Sequence, residues 1–232
     1  MPASAQATPT SIESLVPIVK FLISNCLSYG VVVGASILKV PQILAIQRQK
    51  KADGISLTAN YVELFSYVIS TSWGIVQGLQ FRDYGENVFI FAQLIVLVLM
   101  VARMQRKLPS ALVVLLMELC TFLVFAAGYL PTPVHQTLLS SQILLNIGSR
   151  VPQIRSNLQN HSTGTLSFLT FFLAFGGGVA RVLTTALNVP WEKGKAIMLT
   201  QYTVAATLNL IIILQILFYK NRKDTKGMTK KA

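Results

Sequence analysis

The run Lys39-Val40-Pro41-Gln42-Ile43 returns 111 residues later as Arg150-Val151-Pro152-Gln153-Ile154. Each copy continues in a similar way. The first passes through Gln47-Arg48-Gln49-Lys50-Lys51 to Gly54-Ile55-Ser56, and the second through Asn157-Leu158-Gln159-Asn160 to Gly164-Thr165-Leu166-Ser167. The glutamine-to-serine spacing is 14 in both. A cation, any residue, Pro-Gln, a polar linker and a small-residue restart, embedded in apolar sequence, is improbable twice by chance. The chain is a duplication, and its fold has to be assembled from two similar units.

Composition decides the solvent of those units. Of 232 residues 53% are hydrophobic and only 12% charged, with a mean hydropathy of +0.58. A soluble domain of this size carries roughly 25% charged residues, so too little polar surface is available to cover a globule in water. An integral membrane protein follows. The net charge of +12 then reports on loops that orient the chain. A nucleic-acid binder needs a continuous basic patch interleaved with aromatics, which is missing, so no nucleic-acid partner is expected. Cys26 and Cys120 both lie in apolar runs and read as small buried hydrophobes rather than a disulfide framework. His135 and His161 stand at no metal-ligand spacing, and neither a metal nor a cofactor is expected.

Crossing a hydrocarbon core of about 30 Å takes about 20 mainly apolar residues. Seven segments qualify: about 26–46, 56–78, 87–103, 110–130, 135–157, 165–187 and 196–219. Turn chemistry separates them at Asp53-Gly54, Asp83-Tyr84-Gly85, Pro109, Pro131-Thr132-Pro133, Pro190 and Gly194. The duplication pairs spans one to three with spans five to seven and leaves the fourth as a linker. An all-α membrane protein of seven transmembrane helices in a 3+1+3 parallel repeat is expected. The corresponding division is 1–24 as a tail with an interfacial segment or an extended start of the first span, 25–103 as the first three-helix unit, 104–134 as the linking helix, 135–219 as the second unit, and 220–232 as a basic tail. No basic n-region precedes an early apolar stretch, so a cleaved signal peptide is not expected.

Basic loop residues set the orientation. Arg48, Lys50, Lys51, Arg103, Arg106, Lys107, Arg155, Lys220, Arg222, Lys223, Lys226, Lys230 and Lys231 fall on one side, thirteen in all, against four (Lys20, Arg82, Lys193, Lys195) on the other. The N-terminus is therefore expected on the lumenal or extracellular side and the C-terminus in the cytosol.

Five ionisable residues fall within the predicted spans: Lys39, Glu63, Glu118, Arg150 and Arg181. Each costs about 2.5–3.5 kcal/mol at a helix centre on insertion scales. Lys39, Glu63, Glu118 and Arg150 lie roughly 10–12 Å below the cytosolic boundary at 1.5 Å per residue. A Lys39–Glu63 pair, with Glu118 near Arg150, is allowed at that depth; Arg181 lies deeper. Two readings stay open. The charges form register-fixing ion pairs or snorkel to the interface, or they line a cationic cavity for an anionic headgroup or solute. Three cations against two carboxylates lean toward the cavity. So does the polar stripe Gln142, Asn146, Ser149 and Gln153 along one helical face.

The prolines supply candidate hinges. Pro41 is expected to free the carbonyl of Ile37 and Pro152 that of Gly148, kinking both helices at matched depth, with the adjacent Gln42 and Gln153 amides able to satisfy the freed groups. Static kinks that only shape the bundle are the alternative. Gly30, Gly34 and the triplet Gly176-Gly177-Gly178 permit close helix approach. No nucleophile–base–orienter set is present, and catalysis is not expected.

In a seven-span 3+1+3 chain the two Pro-Gln segments resemble the PQ-loop family. A narrower resemblance is carried by Asn160-His161-Ser162-Thr163-Gly164-Thr165-Leu166-Ser167-Phe168-Leu169-Thr170 and by Phe175-Gly176-Gly177-Gly178-Val179-Ala180-Arg181-Val182. Lys39-Val40-Pro41-Gln42, Glu63-Leu64, Tyr84-Gly85-Glu86 with Gln93, and Gln215-Ile216-Leu217-Phe218-Tyr219 add to it. Over about 25–220 the chain is similar to the mannose-P-dolichol utilization defect branch. That resemblance implies a non-enzymatic endoplasmic reticulum membrane protein needed for using dolichyl-phosphate mannose and dolichyl-phosphate glucose as lumenal donors for N-glycan and GPI-anchor assembly. Lumenal glycosyltransferases are then possible partners beside membrane lipid and the dolichyl-phosphate-linked sugar.

A substrate-binding set of Lys39, Gln42, Glu63, Asn146, Arg150, Gln153 and Arg181 follows, with Pro41 and Pro152 as hinges. The cations would take the phosphate and the amides the hydroxyls. Two rivals remain at this stage: a small-solute carrier for a sugar or amino acid, and a non-transporting scaffold that presents the donor to transferases. The expected topology has a direct check at the sequon Asn160-His161-Ser162, which falls on the cytosolic side. Endoglycosidase treatment of the protein from a glycosylating host should leave its electrophoretic mobility unchanged, whereas a removable glycan on Asn160 reverses the orientation.

Overall fold

The computed structural model of the chain describes residues 11–50, 52, 55–163 and 167–229. Among them the regular elements are helices: α1 (Ser11–Ala35), α2 (Val40–Gln49), α3 (Leu57–Val76), α4 (Phe81–Met104), α5 (Leu108–Ala126), α6 (Thr132–Gln159), α7 (Phe168–Asn188) and α8 (Lys195–Thr229), with a 3₁₀ turn at Trp191–Lys193. Five stretches are long and apolar enough to cross a membrane: Pro17–Gln49, Phe81–Met104, Leu108–Ala126, Phe168–Asn188 and Lys195–Tyr219. The segments α3 and α6 have comparable length but carry more polar side chains, many of which meet other helices.

The repeated small-residue restart is a helix cap. Ser56 and Ser167 hold extended backbone angles, and their hydroxyls accept from Ala59 N at 3.1 Å and Thr170 N at 3.4 Å. Each satisfies one of the first-turn N–H groups that a helix cannot pair internally. The duplicated spacing thus places two helix starts at the same point of each unit.

Three boundaries differ from expectation. The segment before residue 26 continues the first span, because α1 runs as one helix from Ser11 through Pro17, so residues 11–14 belong to the helix; residues 1–10 of the expected tail lie outside the described residues. Asp83-Tyr84-Gly85 is helix and not turn. The reversal comes earlier, at Gly78 with φ +58°, and α4 starts at Phe81, six residues before the predicted 87. Gly85 and Gly74 explain why a turn-like sequence stays helical. A Cβ on Gly85 would stand 2.7 Å from the Phe81 ring, and one on Gly74 would stand 2.5 Å from the Tyr84 ring. Both glycines are small because aromatic rings lie over them. The third difference is a break in the first span, which bears on the site.

Neighbouring helices close a ring in the order α1, α4, α3, α6, α8, α7 and back to α1, with α5 packed on α3 and α4 from outside and α2 against α4. In this order α4 stands between α1 and α3, and α8 between α6 and α7. Leu64, Leu94, Leu97 and Val101 fill the seam among α3, α4 and α5, while Ile69, Trp73, Leu139 and Met198 fill the seam where the two units meet. The outside is apolar as well. Leu112, Val113, Leu116, Met117, Leu123 and Val124 of α5 are all exposed, as a helix facing hydrocarbon requires.

Only one of the glycines expected to admit a neighbouring helix does so. A Cβ on Gly178 would meet the Ala206 Cβ of α8 at 3.1 Å, whereas Gly30, Gly34, Gly176 and Gly177 face open space. Gly178→Val should therefore destabilise the α7–α8 contact by about 1–3 kcal/mol, the usual cost of overpacking. Gly34→Ala should leave thermal stability unchanged or raise it. Melting of the two purified variants in one detergent compares them directly.

Candidate functional site

The first Pro-Gln segment opens its helix through an inserted side chain. In an unbroken helix Lys39 N–H would donate to the Ala35 carbonyl. Here the Gln93 carboxamide of α4 stands between them: Lys39 N donates to Gln93 Oε1 at 2.8 Å, and Gln93 Nε2 donates to Ala35 O at 2.8 Å. Insertion into the i→i−4 ladder is a standard cause of a sharp bend. Pro41 completes the break, since it has no N–H for the Ile37 carbonyl, which accepts instead from Val40 N at 3.2 Å. The chain turns over residues 36–39, and Pro41 then sits in the first turn of α2, where a proline is well tolerated.

Two expectations are corrected here. The Ile37 carbonyl freed by Pro41 accepts from Val40 N rather than from Gln42, Gln93 of another helix bridges the broken Lys39–Ala35 bond, and Gln42 is exposed with no side-chain hydrogen bond among the described residues. The two copies also differ. Pro152 lies inside α6, which runs without interruption from Thr132 to Gln159. At the same 111-residue offset from Gln93 stands Val204, which has no amide to insert.

Around the break the charges arrange themselves at two levels. On the level of the break, the Lys39 ammonium donates to both carboxylate oxygens of Glu63, at 2.7 and 2.9 Å. This is the pair that matched depth allowed. Its side chains are 17% and 37% exposed, so it is open on one side. Arg150 is half-buried, with its guanidinium carbon 5.2 Å from the centre of the Phe171 ring. It does not meet Glu118. The reason is placement: α5 packs on α3 and α4, whereas Arg150 on α6 reaches α7. Glu118 keeps a buried Oε2 that bonds to nothing among the described residues.

At the opposite end Arg181 is buried and paired with Glu86, and it also donates to the Arg82 carbonyl at 3.1 Å. Beside it Asn188 donates to Asp83 at 2.8 Å and accepts from Ser24 at 2.6 Å, while Arg82 donates to Asn25. These bonds tie α1, α4 and α7 together. The expected excess of three cations over two carboxylates was counted with Glu86 just outside its predicted span. With α4 beginning at Phe81, Glu86 lies inside a helix and supplies Arg181 with a carboxylate. Among the described residues Arg150 is left as the member of the trio without a carboxylate.

The polar stripe of α6 divides between two tasks. Gln142 is buried, accepting from Ser70 at 3.0 Å and Gln201 at 2.8 Å and donating to the Ser66 carbonyl at 3.0 Å, so it joins α6 to α3 and α8. Asn146 and Ser149 turn back on their own helix, donating to the carbonyls of Gln142 and Asn146. The Gln153 amide has no hydrogen bond among the described residues. Of the expected binding set, Lys39 and Glu63 come together, Asn146, Arg150 and Gln153 share a face of α6, Arg181 lies in the other layer, and Gln42 stands apart. Gln93 and Glu86 were absent from that set. Gln93 had one available signal, being the only amide in the otherwise apolar run 87–102 after Asn87.

Apolar outside, ion-paired and amide-bridged inside, and built from a doubled unit, the molecule is a multi-pass helical membrane protein. Its sequence matches the family described as PQ loop repeat over residues 23–83 and 134–193, just over half the chain. The chain belongs to that family, a transporter class rather than an enzyme class. It is also 21% identical over 183 residues to the human protein "Solute carrier family 66 member 3", a match that covers 79% of this chain and 87% of the relative. No solved structure matches it.

The buried pair makes a sharp prediction. Arg181→Gln leaves Glu86 charged and unpartnered among α1, α4 and α7, and Glu86→Ala does the same to Arg181. Either change should cost about 3–5 kcal/mol. The double variant should recover part of that loss, and the recovery is read as a positive coupling in a double-mutant cycle of thermal unfolding.

Proposed function

We propose that this protein is a PQ-loop carrier with seven spans in a 3+1+3 arrangement, which receives a polar substrate between its two three-helix units. The observation that carries the reading is the Gln93-opened break beside the partly open Lys39–Glu63 pair. A carrier needs an element that can bend and polar groups at membrane depth, and here both occupy one place. The substrate-binding set is Lys39, Glu63, Asn146, Arg150 and Gln153, with Gln42 outside it and Arg181 holding the far end closed. The family match and the relative named a solute carrier support a small solute as substrate, a sugar or amino acid in this reading. Orientation follows the basic loops, with the N-terminus lumenal and the C-terminus cytosolic.

One specific observation favours a second reading. The stretches Asn160–Thr170 and Phe175–Val182, with Arg181 at the heart of the α1–α4–α7 lock, resemble the branch required for use of dolichyl-phosphate mannose and glucose in the endoplasmic reticulum. A lipid-linked sugar presents one phosphodiester and several hydroxyls while its chain remains in hydrocarbon. Arg150 suits the phosphodiester, and the α6 amides suit the hydroxyls. In this reading the protein binds, presents or flips the donor, or scaffolds the lumenal transferases that consume it.

Reconstitution separates the two. Purified protein in phosphatidylcholine vesicles should accelerate entry of labelled sugars or amino acids, and Gln93→Leu should slow that entry at least about tenfold by letting Lys39 N–H rejoin the Ala35 carbonyl. Faster transbilayer movement of a short-chain dolichyl-phosphate mannose analogue, with no solute entry, supports the lipid-linked donor instead. Neither movement removes the carrier reading.

A further inference from the structure

The duplication pairs Lys39 with Arg150 and, at the same offset, Glu63 with Ala174. In the first unit the cation is neutralised from within, because Glu63 takes both its hydrogen bonds. In the second unit the position of the carboxylate is a methyl group. We propose that Arg150 is a binding site for a singly charged oxyanion, a carboxylate or phosphate ester that occupies the place Glu63 fills in the other half.

The surroundings fit such a guest. Arg150 lies over the Phe171 ring at 5.2 Å, and Phe171 is one helical turn before Ala174 on the same face of α7. The space that a carboxylate at 174 would fill therefore adjoins the guanidinium. The ring contact stabilises the cation, and a phenyl ring carries no nitrogen or oxygen to take up its hydrogen-bond donors. Among the described residues no carboxylate reaches those donors. On the α6 face, Asn146 stands four residues before Arg150 and Gln153 three after, so two neutral amides flank the charge. The Gln153 amide is uncommitted, and Asn146 uses its nitrogen on the Gln142 carbonyl. A guanidinium offers two parallel donors to an oxyanion, and adjacent amides can take neighbouring hydroxyls. Because α6 is unbroken there, the site is held on a rigid element, in contrast to the bent first span.

This inference names the substrate chemistry for the substrate-handling role proposed above and rests on it for its purpose. The binding can be tested without any transport. Full-length protein in a neutral detergent is melted with increasing dimethyl phosphate, acetate or dihexanoyl phosphatidylglycerol, and with dihexanoyl phosphatidylcholine as the control of no net charge. At least one of the three anions should raise the Tm in a saturable way. Apparent affinity should fall about tenfold or more in Arg150→Gln, the worth of a charge-assisted hydrogen bond. Arg150→Lys should retain part of it. Ala174→Glu is the second variant: it restores the internal carboxylate, so it should abolish the response while the unliganded protein melts at or above the wild-type temperature.

A response to the phospholipid alone assigns a lipid headgroup, and a response to dimethyl phosphate or acetate assigns a soluble anion. No Tm change with any anion, or an undiminished change in Arg150→Gln or Ala174→Glu, overturns the inference. Should Arg150→Gln fail to fold, Ala174→Glu decides alone. Anion binding that depends on Arg150 in a protein that moves nothing across vesicles keeps this site and removes the carrier reading. Solute entry with no anion response does the reverse.

Discussion

A single carboxamide determines how the two halves of this molecule differ. Gln93 replaces one hydrogen bond of the first span by two, accepting from Lys39 N and donating to Ala35 O. Backbone groups in hydrocarbon have to be paired, so a helix can be opened there only if another group satisfies what is released. Gln93 does so from a neighbouring helix, which makes the break a property of the α1–α4 contact rather than of the Pro-Gln sequence. Pro152 shows the converse, because without an inserted amide the same dipeptide stays within a continuous helix.

The ions follow the same logic of compensation. A charge at membrane depth is costly unless it is paired, and two of the three cations find carboxylates on other helices. The pairs differ in burial and therefore in what they can do. Arg181 and Glu86, buried among α1, α4 and α7 with Asp83, Asn188 and Ser24 close by, close one end of the bundle. Lys39 and Glu63, partly open and beside a bent helix, can exchange partners at lower cost. One end is thus locked and the other has both a joint and accessible charge. This asymmetry within a symmetric duplication is what a protein needs if its halves perform different tasks on one substrate.

Much of the architecture was legible in the residues. The doubled Pro-Gln segments, the 14-residue spacing to Ser56 and Ser167 and the apolar runs placed most helices correctly, because caps and hydrophobic length are local properties. The Lys39–Glu63 pair was legible only as one that matched depth allows. Glu86 was not, since Asp83-Tyr84-Gly85 carries the composition of a turn, and only the rings of Phe81 and Tyr84 over Gly85 and Gly74 reveal why it is helical. The Glu118–Arg150 pairing failed for another reason. Equal depth says nothing about which helices are neighbours, and α5 sits on α3 and α4, away from the α6–α7 face that holds Arg150.

The sequence by itself determined that this chain is a duplicated, helical membrane protein with Pro-Gln segments and a few ionisable groups at depth. Those features depend on spacing and on the cost of putting polar atoms in lipid, both of which can be read one residue at a time. Which proline breaks its helix, which cation is neutralised and which is left beside an aromatic ring were decided only by the tertiary structure. Each of those outcomes depends on a side chain arriving from another helix, and the order of helices around the ring is set by packing that no single stretch of sequence contains.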